Sequence, residues 1–166
     1  MDNRPIGVFD SGLGGLTSVQ ELHRQLPEEK VIYYGDTART PYGSKSPETI
    51  VKFATQIVDY LVSRDTKMII IACNTVTALA LDSLRERYPD VPIIGVIGPT
   101  VRKVVSDGCR NVGVIATKAT IGSDVYGREL RALDPEIKVC SAACSRRDRN
   151  SQTGITQATC RTIASR

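Results

Sequence analysis

Three observations on the 166-residue chain predict an α/β fold, a parallel sheet with helices on both faces. Short apolar runs alternate with helical patterns from Pro5 to Cys140. The clearest apolar run, Met68 to Ala72, stops abruptly at Cys73, and small polar residues and a helical pattern follow it. A glycine-rich turn, Asp10-Ser11-Gly12-Leu13-Gly14-Gly15, follows the first run. Strands that alternate with helices close into right-handed βαβ units, whose sheet is parallel and buried on both sides.

The predicted strands are Pro5–Phe9, Val31–Tyr34, Lys67–Ala72, Pro92–Val96, Asn111–Ala116 and Glu136–Cys140. Helices are predicted to start near Gly15, Pro47, Asn74, Pro99 and Thr120. The helix from Pro47 is the best marked. Ser46 can cap it, Pro47 suits its first position and Glu48 complements its positive end. Ile50, Ala54, Ile57, Val58 and Leu61 then recur at helical spacing and give one core face. In a flavodoxin-like order, 2-1-3, the first strand lies beside the third, so Asp10 and Cys73 emerge side by side.

Composition narrows the classes. Five cysteines, an odd number, with no signal peptide ahead of them, favour a reducing, cytoplasmic setting over a disulfide framework. No apolar run approaches the ~20 residues of a membrane span. The net charge of +4 lies in residues 145–166, which hold five arginines against one aspartate. That tail has no aromatic residue and no period, which favours a solvated, disordered end over a nucleic-acid arm.

The candidate site residues sit where strands end and helices begin, which is where open α/β sheets bind ligands. Cys73 is placed at a helix start, whose partial positive charge and free N–H groups lower a thiol's pKa. It is expected to be the most reactive of the five thiols. A structural core cysteine is the alternative. Asp10 can accept a proton or orient an ammonium group beside that thiol, or merely cap the next helix. Tyr34 to Gly43 is long for a βα connection and shapes a pocket, with Tyr42 offering a hydroxyl and Gly43 an N–H. An ordinary turn around Pro41 is the alternative. Thr117-Lys118-Ala119-Thr120 offers hydroxyls and N–H groups to a carboxylate, or simple capping by Thr117. The lone histidine, His23, has no assigned role. Cys140 and Cys144 are spaced without partners for a metal site.

Taken together, the stretches Gly7 to Gly15, Tyr33 to Gly43, Ala72 to Thr75, Gly95-Val96-Ile97 and Thr117 to Thr120 resemble the glutamate racemases of the aspartate/glutamate racemase superfamily. The likeness runs from about residue 4 to Cys144. It implies cofactor-free interconversion of L- and D-glutamate, supplying D-glutamate for peptidoglycan, the cell wall and cell shape. It implies a homodimer of the full-length protein. By position it makes Cys73 one of two catalytic thiols, assisted by Asp10. It assigns substrate contacts to Asp10, Ser11, Tyr42, Gly43, Asn74, Thr75, Thr117 and Thr120. It also divides the chain into a first α/β domain over residues 1–97, the start of a second similar domain over 98–144, and the basic tail over 145–166.

Racemisation needs two acid/base groups on opposite faces of one carbon. The resemblance places the second thiol in a later Gly-Cys-Thr-His segment, which these 166 residues do not contain, so weak or absent activity is expected of them alone. Two other readings stand beside this one. The first is a one-thiol enzyme of the same superfamily, such as a decarboxylase. The second is a non-catalytic module that binds a partner or nucleic acid through its tail.

Overall fold

The computed structural model describes residues 2–144, so the basic tail and Cys160 lie outside the described residues. The chain divides into two compact units, with the boundary in the sequence between Val96 and Ile97.

The first unit is built on four parallel strands in the order β2-β1-β3-β4. They are β1 (Ile6–Asp10), β2 (Val31–Gly35), β3 (Met68–Ile71) and β4 (Ile93–Gly95). The predicted 2-1-3 order is therefore present, with β1 paired on both edges. Side chains alternate across a strand. Phe9, Ile69 and Ile71 accordingly pack on one face with α2 (Pro47–Ser63) and α3 (Asn74–Arg87). From α2 come Ile50, Ala54, Ile57, Val58 and Leu61, the five residues read from its period, all buried. Ser46 caps α2, its hydroxyl accepting from the Thr49 N–H at 3.3 Å. Leu61 reaches the one side-chain-free position of the β1 centre: a Cβ on Gly7 would lie 3.2 Å from it. The opposite face carries α1 (Leu16–Gln25) beside Ile70, and no residue of α1 is fully buried.

The second unit pairs β5 (Asn111–Ala116) with β6 (Lys138–Ala143) in parallel. It packs α4 (Ile97–Ser106), α5 (Lys118–Gly122) and α6 (Val125–Leu133) around Val101, Val104, Val112, Val114, Tyr126 and Leu130. Three boundaries differ from the sequence reading. Helix α4 starts at Ile97, because Pro99 falls within its first turn, where a missing N–H costs nothing. The helix expected from Thr120 is two helices, broken at Asp124, which takes a left-handed backbone (φ 48°). Aspartate tolerates this better than most residues. Gly127 then leaves room for the Arg131–Asp124 ion pair, since a Cβ there would lie 2.3 Å from the carboxylate. Strand β6 runs later than expected, to Ala143, because its register follows β5 from Asn111↔Lys138 onward.

The α2 seam gives a direct test. Replacing Leu61 by alanine removes a fully buried side chain over Gly7 and should cost about 2–5 kcal/mol. Leu16→Ala, at a position about half exposed (47 %), should cost far less. Urea denaturation of the two variants compares them.

Candidate active site

The parallel register sets the site. Asp10 pairs with Gly35, and Phe9 with Ile71, so β1, β2 and β3 end level with one another. The pairing continues into the loops. The Asp36 N–H donates to the Asp10 carbonyl (2.9 Å) and the Ala72 N–H to the Phe9 carbonyl (2.8 Å). Cys73 follows as the cap residue of α3, in extended backbone (φ −88°, ψ 120°). Its thiol donates to the Ser11 hydroxyl at 3.3 Å. Asp10 and Cys73 thus share one end of the sheet, as expected. Asp10 also grips the glycine-rich turn: its carboxylate accepts from the Gly15 N–H at 3.0 Å. The capping role and the site location belong to the same carboxylate. Glycine is required at position 15, where a Cβ would lie 2.7 Å from that of Asp10 and 3.0 Å from that of Ala72.

The electrostatics correct one expectation. Burial pushes the Cys73 thiol above its ordinary range, and the Asp10 charge adds to this. The Ser11 hydroxyl and the Val76 and Ser11 backbone pull the other way without prevailing. The helix end alone would favour the thiolate, but a thiol only 5 % exposed loses the water that would solvate its anion. Burial argues against the expectation that Cys73 is the most reactive thiol, since Cys140 and Cys144 are exposed and Cys109 is less buried than Cys73. Tyr33, whose hydroxyl donates to the Gly12 carbonyl (2.8 Å), is pushed up to about 12 by burial and by Asp10 and Cys73.

The long loop after β2 is organised by a residue that sequence reasoning passed over. Asp36 is 4 % exposed, and its carboxylate accepts from the Tyr42 hydroxyl in a short hydrogen bond. It also pairs with Arg39 at 2.7 Å. The Arg39 guanidinium stacks over Phe53 of α2 at 4.4 Å and donates to Gln56 at 2.6 Å. The Tyr42 ring meets Phe53 at 5.8 Å and is buried. Its hydroxyl, expected to be offered to a ligand in the pocket, donates to Asp36, and burial with Asp36 drives it well above the usual phenol range. The available signal was a carboxylate one residue past a strand end, between Gly35 and Thr37.

The remaining candidates divide between the units. Gly43 is half-buried in the first unit, Asn74 opens α3 and Thr75 is buried in its first turn. Thr117 and Thr120 belong to the second unit. There Thr117 caps α5, accepting from the Thr120 N–H at 3.3 Å, and the two hydroxyls lie 3.0 Å apart. Among the described residues, no cluster of His, Cys, Asp and Glu is placed to hold a metal, and no helix is long and apolar enough to cross a membrane.

Four parallel strands in the order β2-β1-β3-β4, joined through helices, place the first unit among the open α/β folds. The chain belongs to the Asp/Glu/Hydantoin racemase family, which it matches over residues 6–166. It is 50 % identical to the glutamate racemase of Streptococcus gordonii over 145 residues, 87 % of this chain and 54 % of the relative. It is 50 % identical to the glutamate racemase of Francisella tularensis solved in complex with D-glutamate, with a TM-score of 0.83 over 88 % of this chain and 55 % of that one. The glutamate racemase of Aquifex pyrophilus is 34 % identical, with a TM-score of 0.82 over 92 % of this chain and 60 % of that one. The chain thus spans about half the length of the S. gordonii relative.

Two measurements follow. Asp36→Ala strands the Tyr42 hydroxyl and the half-buried Arg39, and should cost about 2–4 kcal/mol in urea unfolding. Limited proteolysis should then cut within residues 36–45 while α2 stays protected. In the folded chain at neutral pH, iodoacetamide should label Cys140 and Cys144 before Cys73, and urea should erase the difference. Faster labelling of native Cys73, read by peptide mass mapping, would contradict the burial argument.

Proposed function

We propose that this chain carries the first half of a glutamate racemase site, with Cys73 as one of two thiols that exchange the α-proton of glutamate. The observation that carries the reading is the Cys73–Ser11 contact beside Asp10 at the level ends of three parallel strands. The 50 % identical relative solved with D-glutamate supports the substrate. In this reading the α-ammonium of the substrate sits against Asp10 and neutralises the charge that opposes Cys73 ionisation. Cys73 then gains thiolate character only when substrate is present. The thiolate takes the α-proton, and the electron pair left on the α-carbon is stabilised toward the substrate carboxylate by N–H and hydroxyl donors. Ser11, Asn74, Thr75 and Gly43 contribute contacts from the first unit. Tyr42 contributes as the loop anchor that presents Gly43.

Residues from Ile97 onward open the second domain in this proposal, and bring Thr117 and Thr120 as further contacts. The second thiol, the homodimer and the supply of D-glutamate to peptidoglycan in the cytoplasm belong to the full-length racemase that the resemblance implies. The reaction needs no added cofactor, because both proton transfers are made by side chains. The one-thiol alternative would account for a single catalytic thiol, but not for the glutamate-racemase loop signatures at Gly7 to Gly15 and Tyr33 to Gly43.

The test uses the 166-residue chain in deuterated water. Proton NMR should show slow loss of the α-proton signal from one glutamate enantiomer, absent in Cys73→Ser. Circular dichroism should show no inversion, since removing one of a pair of acid/base groups costs ~10²–10⁴-fold. Inversion of both enantiomers at full rate would overturn the two-thiol account. Exchange unchanged in Cys73→Ser would overturn the role of Cys73.

A further inference from the structure

The Ser11 hydroxyl accepts a hydrogen bond from the Cys73 thiol, and it rides on a turn of three glycines and one exposed leucine. Such a turn has little packing of its own to hold a side chain in place. It is held from outside. Asp10 takes the Gly15 N–H at the far end of the turn. At the near end, one residue after Ser11, the Gly12 carbonyl accepts the Tyr33 hydroxyl at 2.8 Å, across 21 residues of sequence. The end of β2 closes on the same point: a Cβ on Gly35 would lie 2.6 Å from the Gly12 carbonyl oxygen and 3.1 Å from the Tyr33 ring. The ring also backs the turn, since a Cβ on Gly15 would lie 3.2 Å from it.

We propose that Tyr33 is a positioning residue for Cys73: its hydroxyl clamps the Gly12 carbonyl and so keeps the Ser11 hydroxyl on the thiol. The proposal rests on the reading of Cys73 as a proton-transfer group, and deepens it. Ser11 is one of the influences that favour the Cys73 anion, through its hydroxyl and its backbone, and both move with the turn. The titratable groups that bear on this thiol are Asp10 from β1, Tyr33 from β2 and Tyr42 from the long loop. Burial pushes the Tyr33 phenol up to about 12, so it is a neutral donor at neutral pH. The neighbouring tyrosine is not equivalent. Tyr34 points to the other face of the sheet, where its ring packs on Tyr60 of α2 at 5.5 Å.

The test is the pH profile of Cys73 alkylation by iodoacetamide in the full chain, read by peptide mass mapping. Tyr33→Phe keeps the ring and removes only the clamp. Its profile should move to higher pH, with alkylation below the midpoint slowed roughly three- to tenfold, the scale of losing one ordinary hydrogen bond. Ser11→Ala should shift the same way, and the double variant no further than Ser11→Ala alone. Tyr34→Phe should match the wild type. Gly35→Ala, which crowds the Gly12 carbonyl and the Tyr33 ring while keeping the tyrosine, is the second probe should Tyr33→Phe lose its far-ultraviolet circular dichroism. It too should shift upward. A wild-type profile in Tyr33→Phe or Gly35→Ala, a shift to lower pH, or full additivity with Ser11→Ala overturns the clamp. None of these readouts depends on glutamate exchange, so the clamp and the racemase reading fail separately.

Discussion

The two-sided pairing of β1 is the constraint on which the rest of the first unit depends. Because β1 bonds in parallel to β2 and to β3, with Asp10 opposite Gly35 and Phe9 opposite Ile71, three chain segments must leave the sheet at one level. A carboxylate, a glycine-rich turn, a long anchored loop and a thiol at a helix start come from three separate stretches of sequence. No local interaction brings them together. The register does, and a slip of one residue would turn Asp10 to the opposite face. The pairing is in turn protected by what α2 and α3 bury against Phe9, Ile69 and Ile71, none of which has measurable exposure.

This arrangement places a poorly solvated thiol next to an anion, which is a costly way to hold a nucleophile or base. The unfavourable pieces are balanced by short-range bonds. Asp10 spends its charge on the Gly15 N–H at the start of α1, and Asp36 spends its own on Tyr42 and Arg39. Among the described residues no buried side-chain nitrogen or oxygen lacks a partner. Cys73 is the exception in kind. Its partners favour the anion, but burial and Asp10 outweigh them, so the resting thiol is protonated. A group that is easy to ionise only when a cation neutralises its neighbour has its reactivity tied to occupancy of the site.

Much of this was legible in the sequence, for definite reasons. The parallel sheet followed from alternating apolar runs, because periodicity and the handedness of βαβ units leave few topologies, and the adjacency of Asp10 and Cys73 followed from it once a flavodoxin-like 2-1-3 order was taken. The α2 core face was legible residue by residue, since Ile50 to Leu61 carry an unbroken helical period. What was not legible depends on contacts between stretches far apart in sequence. The position of Cys73 at a helix start is local information and argued for a lowered pKa, whereas its burial is a tertiary fact and reversed the sign. Tyr42 was recognised but its partner Asp36 was not, because nothing local marks a carboxylate six residues earlier as the acceptor of its hydroxyl. The break at Asp124 was missed because nothing in a helical period marks a single left-handed residue.

The glycines of the site explain why the first turn and the second strand must be considered as one object. Gly35 ends β2 where the Gly12 carbonyl approaches, and Gly15 opens α1 where Asp10, Ala72 and Tyr33 converge. Each leaves space that a methyl group would fill with a clash under 3 Å. These positions do not need glycine for a left-handed backbone, since their conformations are open to any residue; among the described residues the left-handed glycine is Gly108, in the second unit. They need it because three backbones crowd one sheet end. The same crowding that excludes side chains also excludes water, and this raises the thiol's pKa and makes each remaining hydrogen bond stronger. Close approach of the turn to β2, burial of Cys73 and the weight of a single Ser11 hydroxyl are therefore consequences of one packing arrangement.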